Sequence, residues 1–279
     1  MVKNKLISPV VKWVGGKRQL MKSIVENLPK NIKKMELIEP FFGGGAVLFH
    51  LQPKNAIIND WNKELMNVYG VIKNDLPALI EDLKKHKNTE TYFYKIRSLD
   101  RNDEFENLSK VKRASRIIYL NKTCFNGLYR VNNAGEFNVP FGKYKNPNIV
   151  NEPTLKAVSD YLNSNKIKIM TGDYHKALGS VTAKSFVYFD PPYHPISEKS
   201  NFTGYIEGGW NEEDQERLKR TCDMLHNQNI KFLLSNSSSD FIKNLYKRFK
   251  IITVKANRSI NSDSEKRGNI DEVLIKNYD

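Results

Sequence analysis

The run Ser185-Phe-Val-Tyr-Phe189 is apolar without alternation and only five residues long. A short continuous apolar run fits a strand buried on both faces, the kind found in a parallel sheet covered by helices. Leu37-Ile38-Glu39, Ala56-Ile57-Ile58-Asn59-Asp60, Ile167–Met170 and Ile230–Leu234 repeat the pattern along the chain. Together they predict an α/β fold. Ile251–Val254 and Glu272–Ile275 suit an antiparallel pair at the sheet edge. With 279 residues the chain is long enough for one large α/β domain and an insertion.

The first strand named above runs into Asp190-Pro191-Pro192-Tyr193. Open α/β sheets place ligands outside the carboxyl ends of their strands. A carboxylate, carbonyls held rigid by proline and an aromatic ring suit the capture of an amino group on a flat base. Acceptors around the two amine hydrogens draw the nitrogen toward a tetrahedral shape and free its lone pair. Methyl transfer to an adenine or cytosine amine needs this, and Tyr193 would stack on the extracted base. Taken alone, the tetrapeptide also reads as a plain turn.

Two further motifs bear on the choice. Glu39-Pro40-Phe41-Phe42-Gly43-Gly44-Gly45 joins a strand end to a helix-compatible run, and glycines let backbone approach a nucleoside-like ligand. Asp60 follows Gly43 by 17 residues, a spacing at which an acid binds a ribose hydroxyl. Leu48 stands where a dinucleotide fingerprint has its third glycine, which argues against a nicotinamide site. Near the N-terminus, Lys12-Trp13-Val14-Gly15-Gly16-Lys17 offers a cofactor wall in Trp13 and a polar contact in Lys17. At the end of Ile167–Met170, Asp173 and Tyr174 either touch the cofactor or cap the next helix.

Net charge is +14. Between Lys110 and Lys145 stand eight Lys or Arg and one acid, Glu136, interleaved with Phe125, Tyr129, Phe137, Phe141 and Tyr144. Such a segment suits a nucleic acid. Trp61–Lys73, Leu76–His86 and Val111–Asn121 read as helices. Leu128–Val131 and Glu136–Val139 read as a β-hairpin able to enter a groove. The two cysteines, Cys124 and Cys222, and five scattered histidines form no metal-ligand cluster, so no metal is expected. No run is long enough for a membrane span, and no signal peptide is evident, so a cytoplasmic location is expected. Residues 195–210, with Phe202 and Tyr205, read as a lid. Residues 257–269 read as a loop that orders on DNA.

In combination and order, the three motifs, Asn59-Asp60-x-Asn62, Asn126-Gly127-Leu128-Tyr129-Arg130 and Phe137–Tyr144 resemble the Dam family, the D12 class of DNA adenine-N6 methyltransferases, in its α arrangement. Within it, the chain looks most like members that accompany GATC restriction systems. The resemblance implies a Rossmann-like methyltransferase sheet that uses S-adenosylmethionine, with an inserted helical and β-hairpin DNA-recognition domain. It implies a catalytic domain of residues 1–60 and 165–279 and a target-recognition domain of 61–164.

Asp190, Pro191, Pro192 and Tyr193 would be catalytic. Trp13, Lys17, Pro40, Phe41, Phe42, Gly43, Gly44, Gly45, Asp60, Asp173, Tyr174 and Asp190 would line the S-adenosylmethionine site. Lys12, Asn126, Leu128, Arg130, Pro140 and Lys143 would contact double-stranded DNA. Arg130 is expected to read a base edge and Asn126 and Lys143 to hold phosphates. The implied reaction is methylation of N6 of a flipped adenine in GATC, with a restriction endonuclease as functional partner. Methylation of cytosine N4 or RNA, and a noncatalytic DNA-binding module, are the alternatives.

Overall fold

A computed structural model describes residues 3–196, 209–257 and 269–279. The expected lid and the 257–269 loop lie mainly outside the described residues. The strands are β1 Glu36–Glu39, β2 Asn55–Asp60, β3 Lys166–Thr171, β4 Ser185–Phe189, β5 Lys231–Ser237, β6 Lys250–Asn257 and β7 Asn269–Lys276. The helices are α1 Met21–Glu26, α2 Ala46–Leu51, α3 Lys63–Asn74, α4 Leu76–Leu83, α5 Glu90–Arg97, α6 Lys110–Thr123, α7 Glu152–Ser164, α8 Glu212–Asn227 and α9 Asp240–Leu245. Among the described residues, no helix is long and apolar enough to cross a membrane.

The strands form one sheet in the order β3-β2-β1-β4-β5-β7-β6. β1 to β5 are mutually parallel, and β7 runs antiparallel to both neighbours. Successive residues of a strand serve opposite faces. Leu37, Ala56, Ile58, Phe186 and Tyr188 join the core under α3, α6 and α7. Ile38, Ile57, Val187 and Phe189 join the core under α8 and α9. Both faces are covered, which explains the unbroken apolar runs. Strand order reverses between β1 and β4, so a crevice opens outside their carboxyl ends. The glycine turn follows β1 and Asp190 follows β4. The register Leu37↔Phe186 and Ile38↔Val187 makes the two loops neighbours.

Element ends follow local chemistry. α3 starts at Lys63 rather than Trp61 because the Asn62 side chain accepts the Leu65 N–H at 2.9 Å and caps the helix. Asn211 and Asp214 close a reciprocal capping box on α8. The expected hairpin at 128–139 forms its turn but no regular strands. Asn132 N–H donates to the Glu136 carbonyl (2.9 Å), Asn138 N–H to the Arg130 carbonyl (3.0 Å), and Val131 bridges Phe137. On its outer edge Asp100 accepts the Phe137 N–H at 2.7 Å and Arg101 donates to the Phe137 carbonyl at 2.9 Å. These two groups face away from the 130–132 segment, and side chains rather than a further strand satisfy them.

The predicted basic stripe also changes character. In α6, residues Ala114–Asn121 and Thr123 are buried, so this helix is the core of the insertion rather than its outer face. Arg116 is 3 % exposed, paired to Asp100 at 2.7 Å and bonded to the Ile96 and Arg97 carbonyls. Arg113 is held by Glu64 and Glu106. Neither is available to a polyanion.

Candidate active site

β4 delivers Asp190 into the crevice, and its carboxylate is met from two distant parts of the chain. Lys17 Nζ lies 2.7 Å from Asp190 Oδ1, and the Ser235 hydroxyl donates to the same oxygen at 2.9 Å. Lys17 is 6 % exposed and also donates to the Gly15 carbonyl. Burial raises the Asp190 carboxyl above its ordinary value, while Lys17 and Ser235 pull it back toward the charged form. Among the described residues no donor occupies Oδ2, which leaves it open to the crevice.

The next three residues are pinned through their backbone. Gln215 on α8 donates to the Pro192 carbonyl at 2.9 Å. Its own carbonyl oxygen accepts from Asn236 Nδ2 at 3.1 Å, and Asn236 Oδ1 accepts the His194 N–H at 3.0 Å. Gln215 and Asn236 are both buried. They satisfy each other and fix the loop from beneath. Among the described residues the Pro191 carbonyl has no donor, so it remains an available acceptor. The Tyr193 hydroxyl donates to Glu272 Oε2 on β7 at 2.9 Å. Lys17 Nζ stands 4.7 Å from the centroid of the Tyr193 ring. Burial, then Asp190 and Glu272, push the Tyr193 hydroxyl well above its ordinary range, so it is a neutral donor.

The glycine turn is built around Asp60. Its Oδ2 accepts the Gly43 N–H at 2.8 Å and its Oδ1 accepts the Asn62 N–H at 2.9 Å. Gly45 has φ +76°, and a Cβ there would lie 2.8 Å from a Phe49 ring carbon, so only glycine fits. Trp13 covers the turn, since a Cβ on Gly43 would meet its ring at 3.1 Å. Trp13 also stacks on Tyr129 with ring centroids 4.5 Å apart. Glu39 is 2 % exposed and its Oε1 has no partner among the described residues. Burial, then Asp190, holds its carboxyl well above 4.5, while the Leu48 N–H works the other way.

Three expected cofactor contacts are altered. The Phe42 side chain points into the core against Phe49 and Tyr69, so only its backbone reaches the crevice. Tyr174 is 3 % exposed, and it supports Phe41 by stacking at 5.2 Å. Asp173 caps His175 N–H at 2.9 Å and takes both Arg217 nitrogens at 2.8 and 3.1 Å. Burial acts to raise its carboxyl, but Arg217 outweighs this and leaves it below the ordinary range. Phe41 remains half-buried beside Trp210, with Pro40 tied by its carbonyl to Asn59 Nδ2 at 3.1 Å.

The segments that carry the expected DNA-contacting residues are tied to one another. Asn121 is their clasp. It accepts the Lys12 N–H at 2.8 Å and donates to the Lys12 and Gly127 carbonyls at 2.9 and 3.0 Å. Asn126 and Lys143 both take the left-handed region, at φ 56° and 54°. Pro140 and Lys143 are exposed, and the Pro140 carbonyl accepts the Phe125 N–H at 2.9 Å. Leu128 is half-buried, and its carbonyl accepts from the Cys124 thiol. Arg130 Nε donates to Asn138 Oδ1 at 2.7 Å, which orients the guanidinium and leaves part of its fork unused.

Ser235 and Asn236 belong to the polar run Ser235–Ser239 after the apolar part of β5, which the sequence reads as caps or as part of the target pocket; sequence reasoning missed Gln215 on α8 and Glu272 on β7. Phe125 is 52 % exposed beside Asn126, and Trp61 is 54 % exposed beside Asp60. Lys122 is half-buried; burial, then Lys12 and Arg18, holds its ammonium below the ordinary range.

A seven-stranded α/β sheet with a carboxylate, a glycine turn and an aromatic ring at its switch point has the ligand site of an open α/β enzyme fold. The chain belongs to the D12 class N6 adenine-specific DNA methyltransferases, whose family model matches residues 13–260. It is similar to the Type II methyltransferase M1.LlaDCHI of Lactococcus lactis subsp. cremoris, at 46 % identity over 99 % of this chain and 98 % of the relative. It is 45 % identical to the Type II methyltransferase M.MjaIII of Methanocaldococcus jannaschii, over 98 % of this chain and 99 % of that one. The DNA adenine methylase of Escherichia coli K12 is 31 % identical, over 95 % and 93 %. The protein is thus an adenine-specific DNA methyltransferase.

Proposed function

We propose that the protein methylates N6 of an extrahelical adenine in duplex GATC sites, with S-adenosylmethionine as donor, and that it protects DNA beside a restriction endonuclease. The observation that carries the reading is the joint hold of Lys17 on Asp190 and Tyr193, next to the Asp60-braced glycine turn. The amine hydrogens would be accepted by Asp190 Oδ2 and the Pro191 carbonyl. The base would lie on Tyr193, and extrusion from the helix is required because the amine is otherwise buried in the stack.

The donor site would be formed by Trp13, Pro40, Phe41, the Phe42 backbone, Gly43, Gly44, Gly45 and Asp60. The unpartnered buried Glu39 Oε1 and the partly used carboxylate of Asp60 fit a ligand rich in amino and hydroxyl groups. When bound, S-adenosylmethionine supplies an activated methyl group on a sulfonium. Lys17 serves by keeping Asp190 charged, and Asp173 with Tyr174 serves by supporting Phe41.

Residues 1–60 and 165–279 would form the catalytic unit and 61–164 the recognition unit, with Lys12 added from the N-terminus. Lys12, Leu128, Arg130 and Pro140 would read bases, and Asn126 and Lys143 would hold phosphates. The restriction-linked role is supported by the similarity to two Type II methyltransferases at 45–46 % identity. Methylation of a random-sequence duplex library, followed by mapping of modified bases, tests the assignment. N6-methyladenine confined to GATC is expected; another motif, or N4-methylcytosine, would overturn it.

A further inference from the structure

Every strand of the sheet carries a lysine at the end remote from the active site. On one side these are Lys166 at the start of β3, Lys54 just before β2 and Lys34 two residues before β1. On the other they are Lys184 just before β4, Lys231 and Lys250 at the starts of β5 and β6, and Lys276 at the end of antiparallel β7. Parallel pairing and the reversed direction of β7 bring all of them to one rim. Lys34, Lys54, Lys166, Lys184 and Lys250 are exposed. The described ion pairs, such as Lys63–Glu106 and Arg248–Asp223, leave the whole row out. The acids found along it are Glu36 at the foot of β1 and Asp279, which faces Lys276.

The row is crowded at one end. Lys250 and Lys276 are direct cross-strand partners, an arrangement that is unfavourable for like charges. Lys231 and Lys276 both approach the Tyr278 ring, at 5.6 and 5.2 Å from its centroid. Lys276 is only 7 % exposed, and burial, then Lys250, holds its ammonium below the ordinary range. Lysines that serve solubility alone are spread out and solvated, so this convergence needs another explanation. At the other end, a shallow trough of about 760 Å³ is lined by Lys73, Lys166, Lys168 and Glu36.

We propose that this lysine rim is a second DNA-binding surface, which holds a duplex segment separate from the one in the active site. Six strand spacings of about 4.8 Å make the row about 29 Å long. That is close to one turn of duplex, about 34 Å, along which charge recurs every ~1.7 Å. A straight row of charge matches a rod. A membrane surface would want apolar side chains among the cations, and none of the exposed large hydrophobics stands at a strand base. The strands separate this rim from the crevice, so one straight duplex cannot touch both. An enzyme gripping two segments can pass between them without full release. The inference needs only that the protein acts on DNA, not the particular sequence it methylates.

The test uses two short duplexes, one carrying a fluorescent donor and the other an acceptor, with the full-length protein. Wild type is expected to bring them together and to sediment as one protein with two duplexes. Lys54→Glu/Lys166→Glu/Lys184→Glu should lose at least tenfold in this bridging. Its turnover on a short one-site duplex should stay within about twofold, because these lysines are far from the crevice. Lys54→Gln/Lys166→Gln/Lys184→Gln, a milder change, should show an intermediate loss and guards against misfolding of the first variant. Saturation of wild type at one duplex, bridging by two protein copies, or undiminished bridging by both variants would each overturn the proposal. So would rim-dependent capture of anionic vesicles without capture of a second duplex.

Discussion

Lys17 and Asp190 are 2.7 Å apart, and this contact joins the N-terminal glycine loop to the Asp-Pro-Pro-Tyr turn. The same ammonium faces the Tyr193 ring, so one cation positions both the acceptor and the stacking surface. Lys17→Met should lower turnover by about 10²-fold or more, the scale of losing one preorganised charge contact. The sign of its pH effect is fixed. Lys17 lowers an Asp190 carboxyl that burial raises, so its removal lets the carboxyl rise further. The acid limb of kcat/KM should move to higher pH. Rates on a one-site duplex measured across the acid limb check this, and an unmoved limb would count against the pairing.

Tyr193 is held at its hydroxyl by Glu272 on β7, the strand between β5 and β6. Tyr193→Ala should cost about 1–3 kcal/mol of base stacking. Tyr193→Phe keeps the ring and loses only the bond to Glu272, so it should cost less. Fluorescence of 2-aminopurine placed at the target adenine reports the extruded base in each variant. Equal losses from Ala and Phe would show that the hydroxyl, not the ring face, matters.

Glu39 gives a pH signature in stability. Its folded carboxyl lies well above its ordinary 4.5, chiefly through burial. A raised group contributes stability that is full below the unfolded value and lost as pH rises toward the folded one. Glu39→Gln removes that loss. The melting temperature of the variant minus that of wild type should therefore be smallest in acid and grow as pH climbs above 4.5. Thermal melts at acid and mildly alkaline pH decide it; a constant difference would contradict the buried, proton-binding carboxyl.

Arg130 is oriented by Asn138, with part of its fork unused. Arg130→Ala should weaken the specific complex by about 1–3 kcal/mol and relax choice at one base pair. Asn138→Ala should produce a smaller loss at the same position, because the guanidinium remains but is no longer aimed. Competition binding against single-base variants of the site separates this from a phosphate contact, which would weaken all sequences alike.

Gly45→Ala should destabilise the fold by about 2–4 kcal/mol, from a left-handed backbone and a Cβ driven into Phe49. Denaturant unfolding measures it. Gly135→Ala, in an open turn with φ +76°, should cost less because no atom crowds that Cβ.

The parallel strands were legible because burial on both faces leaves a contiguous signal, as Ser185–Phe189 demonstrates. The glycine turn and Asp60 were legible because turn geometry fixes their spacing. Arg113 and Arg116 misled for the opposite reason: composition counts charges but does not see acids such as Glu64 and Asp100 arriving from other elements. Gln215 was invisible as a site residue because its role is to satisfy Asn236 and a distant loop. The turn of the hairpin was legible, but not that its outer edge at Phe137 is held by the side chains of Asp100 and Arg101.

The single amide of Asn121 that spans Lys12 and Gly127 has a practical corollary for altering sequence preference. A graft that swaps residues 61–164 alone would break this fastener and separate the loop at Gly127 from the segment carrying Trp13 and Lys17. Donor and acceptor chains should instead be exchanged together with their residues 10–13, so that the transplanted loop keeps the alignment under which it evolved.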